Sequence, residues 1–238
     1  MTELDGSRTA GELAADDPAA VRLFERLGID YCCGGKRTLS DICAGQQLSI
    51  EELAGMLRQE REKSTPDLAE GNWNEATLGE LCDHIVETHH AYLRRELPRL
   101  TGLIDKVISA HAAGHPELIT LRQVFADLRA ELEPHMMKEE NILFPACREI
   151  GQPDGLRRFP RGFIAGPIRV MESEHHNAGS ALEKLSSITG AYTAPGDACP
   201  SYTELYRGLA ALELDLHQHI HKENNILFPR ALTEDSCS

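Results

Sequence analysis

Two stretches of this chain each carry a histidine and a glutamate four residues apart. His135-Met136-Met137-Lys138-Glu139-Glu140-Asn141-Ile142-Leu143-Phe144-Pro145 returns 84 residues later as His219-Ile220-His221-Lys222-Glu223-Asn224-Asn225-Ile226-Leu227-Phe228-Pro229, with eight of the eleven positions identical. On a helix, a spacing of four puts both side chains on one face, one turn apart. Two such helices facing each other offer two imidazoles and two carboxylates to one point. Carboxylates can bridge two cations while neutral imidazoles fill the terminal positions. Imidazole and carboxylate without thiolate suit iron, manganese or zinc. The phrase therefore predicts a two-metal site, with Glu139 and Glu223 as bridges and His135 and His219 as terminal ligands.

A chance helix-surface pair has no reason to recur inside a repeated phrase that ends in the same Ile-Leu-Phe-Pro. The repeat also sorts the histidines of its second copy. His217 and His221 are four apart as well, but their counterparts are Glu133 and Met137, which cannot form an equivalent site. Both are read as surface residues.

The elements that must position these groups are helices. From Trp73 onward almost nothing alternates with period two. Long helical patterns run from about Leu78 to Leu103, Pro116 to Leu143, Pro167 to Thr189 and Tyr202 to Leu227, the second and fourth stopping at Pro145 and Pro229. Four such helices predict a four-helix bundle, an architecture that builds metal sites in its core. The first helix adds His84, His89 and His90, and the third adds His175 and His176. Periodicity alone leaves His89 and His90 both open.

Residues 1–63 read as a small helical domain. Thr9 opens one helix. Asp17-Pro18 and Gly28 bracket a second, with an acidic cap, a first-turn proline and a glycine stop. Tyr31 to Gly35 is a turn, Thr38 starts a third helix and Ser49 a fourth that reaches Lys63. Residues 64–72 are polar and aperiodic and are read as a linker, which leaves 73–238 for the bundle. The fold class is all-α.

A net charge of -14 argues against nucleic acid or an anionic membrane as main partner. No run approaches the roughly 20 apolar residues of a membrane helix. The N-terminus lacks the regions of a signal peptide, so a cytoplasmic location is expected. Seven scattered cysteines do not form a disulfide framework, and no CxxC appears. Cys32 and Cys33 are adjacent and followed by Gly34-Gly35. Such a pair can form a strained disulfide, bind a soft metal or act as a redox couple.

With these motifs in hand, the chain resembles the hemerythrin-like di-iron proteins, and more closely the Ric family, the proteins for repair of iron centres. Asp30-Tyr31-Cys32-Cys33-Gly34-Gly35-Lys36-Arg37-Thr38-Leu39 resembles that family's N-terminal domain. His135 to Glu140, Met171-Glu172-Ser173-Glu174-His175, and His219 to Pro229 resemble its hemerythrin-like domain. The likeness covers essentially the whole chain in the same order. It implies two non-haem iron ions, oxo-bridged and bridged by Glu139 and Glu223. It implies His135, His219, His90 and His175 as histidine ligands, and it chooses His90 over His89. His111 also matches a family histidine near the iron. The family often has Asp directly after the helix-one and helix-three ligands; here Ala91 and His176 stand there. An orienting carboxylate is therefore missing from those positions. Pro153 to Phe163 looks like an insertion.

The function implied is repair of iron–sulfur clusters damaged by nitrosative or oxidative stress. It could work by iron donation or by NO reduction, since two irons can bind two NO molecules and supply two electrons. The partners implied are damaged iron–sulfur proteins and NO or O2. The alternative is a hemerythrin-type sensor or carrier of O2 or NO. Cys32 and Cys33 would serve redox chemistry, delivery of electrons or NO-derived groups, or docking on a client. A small domain beside a bundle could also support a homodimer.

Overall fold

Capping chemistry sets the first helices. Thr9 and Glu12 form a reciprocal capping box at the start of α1 (Ala10–Asp16). Asp17 caps α2 (Pro18–Leu27) by accepting from the Ala19 N–H, and Gly28 ends it in the left-handed region at φ 63°. Thr38 caps α3 (Leu39–Gln46) through the Asp41 N–H. Ser49 and Glu52 exchange the same pair of bonds at the start of α4 (Ile50–Lys63). These are the four short helices expected from the caps in the sequence.

The computed structural model describes residues 4–63, 73–150 and 158–237, with only the backbone of Cys237. The expected linker falls outside the described residues, as does the Pro153–Arg157 part of the expected insertion. Among the described residues the only β-pairing is a lone bridge between Thr9 and Thr38. No described helix is long and apolar enough to cross a membrane.

The chain divides into two units. The first comprises Met1–Thr77 with Ile220–Arg230. Its core is Leu13, Ala20, Leu23, Phe24, Tyr31, Leu39, Leu53 and Leu57. Segment 220–230 joins it through named contacts. Asn225 Nδ2 donates to the Tyr31 carbonyl at 2.9 Å, the Tyr31 ring meets His221 edge-on at 5.2 Å, and Arg230 Nη1 donates to the Trp73 carbonyl at 2.8 Å.

The second unit comprises Leu78–His219 with Ala231–Ser238. Its helices are α5 (Leu78–His84), α6 (Ala91–His111), α7 (Glu117–Lys138), α8 (Phe144–Arg148), α9 (Ala165–Ile188) and α10 (Pro200–His221), and α11 (Phe228–Cys237) closes the chain. α7 packs on both α6 and α9. Leu81, Ile85, Leu93, Leu100, Leu121, Leu128, Leu182, Leu205 and Leu212 are among its buried side chains.

Among the described residues three segments widen to π-helical turns without breaking their helices: Ile85–His90, Glu139–Leu143 and Lys222–Leu227. These correct the expectation that two helices stop at Pro145 and Pro229. The Phe144 N–H donates to the Glu139 carbonyl and the Phe228 N–H to the Glu223 carbonyl, both five residues back. The next residue is the proline in each case. It has no N–H to place, and the wider turn removes the ring clash that ends an ordinary helix. Helix therefore resumes as α8 and α11.

At the α6–α7 turn, His115 lies between two carboxylates. Its Nδ1 is 3.0 Å from Glu117 and its Nε2 3.1 Å from Asp197. Hydrogen bonds to Asp197 and then Glu117 raise its pKa above the ordinary 6.5. The folded state holds this proton more tightly than the unfolded chain does. The contact therefore stabilises fully below 6.5, and its contribution is lost as pH climbs through the raised value. His115→Gln should lower the Tm at about pH 6 and change it little near pH 9. Equal losses at both values in thermal melts would contradict this account.

Candidate metal centre

His135 and Glu139 lie one turn apart where α7 passes into its π turn, as the spacing requires. The Glu139 carboxylate is fully buried, and its two oxygens face different helices. Oε1 is 3.1 Å from His135 Nε2, and Oε2 is 3.3 Å from His90 Nε2 on the first long helix. His175 from α9 brings its Nε2 to 3.2 Å from His135 Nε2. The His219 ring from α10 stands 5.0 Å from that of His90. Glu223 follows His219 by one turn and is fully buried. His90, Glu139 and His219 each offer one ligand atom, as do His135, Glu139 and His175. Within each group these atoms lie within 4.8 Å of one another.

The second ring nitrogens are committed elsewhere. His90 Nδ1 meets Glu140 Oε1 at 2.6 Å, and Arg94 grips both Glu140 oxygens at 2.7 Å. His135 Nδ1 meets Glu174 Oε2 at 2.8 Å, and Lys138 pairs with the other oxygen of Glu174. Burial pushes both carboxyls up. The bonds from Arg94 and His90, and from Lys138 and His135, outweigh it and leave both below the usual value. An ionised carboxylate on Nδ1 draws the ring proton there. Nε2 of His90 and of His135 then points a lone pair at Glu139.

This donor set fits metal. His135 Nε2, Glu139 Oε1 and His175 Nε2 converge at hydrogen-bond range, and a lone pair of His135 Nε2 facing a carboxylate oxygen is repelled unless a cation lies between them. The same holds for His90 Nε2 and Glu139 Oε2. One carboxylate facing two imidazoles, one per oxygen, is able to bridge two cations. No sulfur enters, which suits iron, manganese or zinc.

The remaining sequence candidates fall as follows. His89 turns away: its Nδ1 is 2.9 Å from Asp215, and its ring stacks on His219 at 5.3 Å. His111 is a correction. Its ring lies against Tyr202 and His115 at the far end of α6, a 21-residue helix beginning directly after His90. That is about 30 Å away at 1.5 Å per residue. His221 is a second correction, being buried rather than at the surface. Burial, with the Lys222 charge, lowers its pKa to about 3, and Asn225 Nδ2 lies 2.8 Å from its Nδ1. The repeat counterpart Met137 bears on ligation alone, not on the packing that His221 serves. Cys32 is buried and Cys33 half-buried, in the turn after Asp30.

The sequence reading missed Glu140 and Glu174. Ala91 and His176 supply no orienting carboxylate, and two other helices do so instead. Each of these glutamates is the chain neighbour of a group in the site: Glu140 follows Glu139, and Glu174 precedes His175. That adjacency was the available signal.

Residues 82–231 match the family described as hemerythrin HHE cation binding domain. Residues 6–60 match a domain of unknown function (DUF542). The chain is 42% identical over 227 residues to the iron-sulfur cluster repair protein YtfE of Edwardsiella ictaluri, covering 94% of this chain and 96% of the relative. It is 41% identical over 226 residues to the protein of the same name from Escherichia coli O157:H7, covering 93% and 95%. The Citrobacter koseri protein of that name is 40% identical over 222 residues, covering 93% and 95%.

Removing a carboxylate that orients a ligand imidazole should weaken cation binding. Glu140→Ala and Glu174→Ala are each expected to lower affinity about 10- to 100-fold in chelator competition. Unchanged affinity in both would refute the orienting role.

Proposed function

From the premise that this chain belongs to the hemerythrin HHE cation-binding family, in the two-domain form of the iron-sulfur cluster repair proteins, we propose that it restores iron–sulfur clusters damaged by nitrosative or oxidative stress. The cofactor would be a pair of non-haem irons, held by Glu139 and Glu223 as shared carboxylates and by His90, His135, His175 and His219 as terminal imidazoles. The observation that carries this reading is the Glu139 carboxylate, buried and facing His90 with one oxygen and His135 with the other.

When bound, the iron pair supplies exchangeable metal for a depleted cluster and electrons for small ligands such as NO. The protein's own part is binding and orientation. Glu140 and Glu174 hold two rings with Nε2 inward, while Arg94 and Lys138 keep those carboxylates ionised. Oxygen and imidazole donors hold divalent iron less firmly than thiolates would, which suits release to a client. The clients are damaged iron–sulfur proteins, and the setting is the cytoplasm.

Mössbauer spectra of the native protein should show two coupled irons per chain. Glu139→Ala and Glu223→Ala should each abolish the coupling, and a coupled pair surviving in either would refute that bridge. For the function, an iron–sulfur enzyme damaged by NO is reconstituted anaerobically with and without the loaded protein. Faster recovery of its activity is expected with the protein present. Equal recovery, together with a stable O2 adduct, would favour reversible ligand carriage.

A further inference from the structure

Asp30, Cys32 and Cys33 form another convergence of ligand atoms, each offering one within 4.8 Å of the others. The turn that presents them is held on every side. Asp30 Oδ1 accepts from the N–H groups of Cys32 at 3.1 Å and Cys33 at 2.9 Å, and Oδ2 accepts from the Gly34 N–H at 2.7 Å. Gly11 N–H donates to the Gly35 carbonyl at 2.8 Å. Asn225 Nδ2 donates to the Tyr31 carbonyl at 2.9 Å and Asn224 Nδ2 to the Cys32 carbonyl at 3.3 Å. Gly35 is required: a Cβ there would sit 2.5 Å from the Tyr31 carbonyl oxygen.

The two sulfurs are 3.9 Å apart, and Cys32 Sγ is 3.5 Å from Asp30 Oδ1. A disulfide would need about 2.05 Å. A tetrahedral cation with metal–sulfur bonds of about 2.3 Å and a metal–oxygen bond of about 2.0 Å has a sulfur–sulfur edge of about 3.8 Å and a sulfur–oxygen edge of about 3.5 Å. The sulfur–sulfur and the Cys32 sulfur–oxygen distances each lie within about 0.2 Å of that tetrahedron's edges.

We propose that Asp30, Cys32 and Cys33 are three ligands of a second metal site, which takes a single four-coordinate divalent cation of borderline softness, Fe2+ or Zn2+. The fourth position is left to an exchangeable ligand on the side of the half-buried Cys33 thiol. Three protein ligands with an open position leave the cation accessible to an incoming ligand, whereas structural sites close with four. Binding converts the two thiols to thiolates and releases their protons, with no change of oxidation state. The hydrogen bond to Cys33, burial, and the charges of Cys33 and Asp30 raise the Cys32 pKa well above its ordinary value. Without a cation Cys32 stays a thiol, which is a poor start for disulfide exchange. That Fe2+ passes through this site rests on the repair function proposed above; the site itself does not.

The test is an anaerobic titration of the full chain, bundle metals loaded, with Co2+. A further single cobalt per chain should appear with a near-ultraviolet sulfur-to-cobalt charge-transfer band. Cys32→Ser and Cys33→Ser should each abolish the band, with far-ultraviolet circular dichroism superposable on the parent. Asp30→Asn should weaken binding at least about tenfold. Glu139→Gln, which damages the bundle site, should keep the band, so the two readings fail separately. Zn2+ and Fe2+, added in separate arms, should each bleach it. No band in the parent, or a band surviving in either serine variant, would overturn the site. Displacement by Zn2+ alone would overturn the role for Fe2+.

Discussion

The Glu139 carboxylate governs the design of the bundle. It is a fully buried acid whose two oxygens face imidazoles from two helices. A buried carboxylate is tolerable only when its charge is answered. The surrounding groups are arranged around that requirement. Glu140 and Glu174 fix which nitrogen each ring turns inward, and Arg94 and Lys138 neutralise those two carboxylates from the outside. The charge order runs cation, carboxylate, imidazole, carboxylate, from half-exposed rim to sealed centre.

The architecture was readable because its signals are local. Caps at Thr9, Asp17, Thr38 and Ser49 name helix starts directly, and helical periodicity with repeated His/Glu spacing names the bundle. What escaped depends on contacts distant in the chain. Glu140 orients a ring 50 residues away and Glu174 one 39 residues away, and no pattern within one helix encodes such pairs. Pro145 and Pro229 misled because the rule that proline ends a helix assumes an ordinary turn, whereas each follows a π turn. His111 matched by sequence alone, and the length of α6 separates it from the site.

The two copies of the phrase have also diverged in an informative way. Glu140 in the first copy orients His90, and its counterpart Asn224 donates to the Cys32 carbonyl instead. Asn141 bonds back to its own helix at Met137, and its counterpart Asn225 holds the Tyr31 carbonyl. Both copies keep the His/Glu spacing. The substituted Glu140/Asn224 position serves the bundle in one copy and the N-terminal unit in the other, and the identical Asn141/Asn225 position changes partner without a substitution.

The π turns tie the site to the length of the phrase. Each accommodates one residue more than an α-helix would, and at about 100° per residue that residue sets the facing of everything beyond it. Deleting a single residue from Glu139–Leu143 or Lys222–Leu227 would leave an uninterrupted helix with its following side chains swung about a quarter-turn away. The phrase can therefore change in composition, as Met136 against Ile220 shows, while a change of length within it would turn the following side chains out of place.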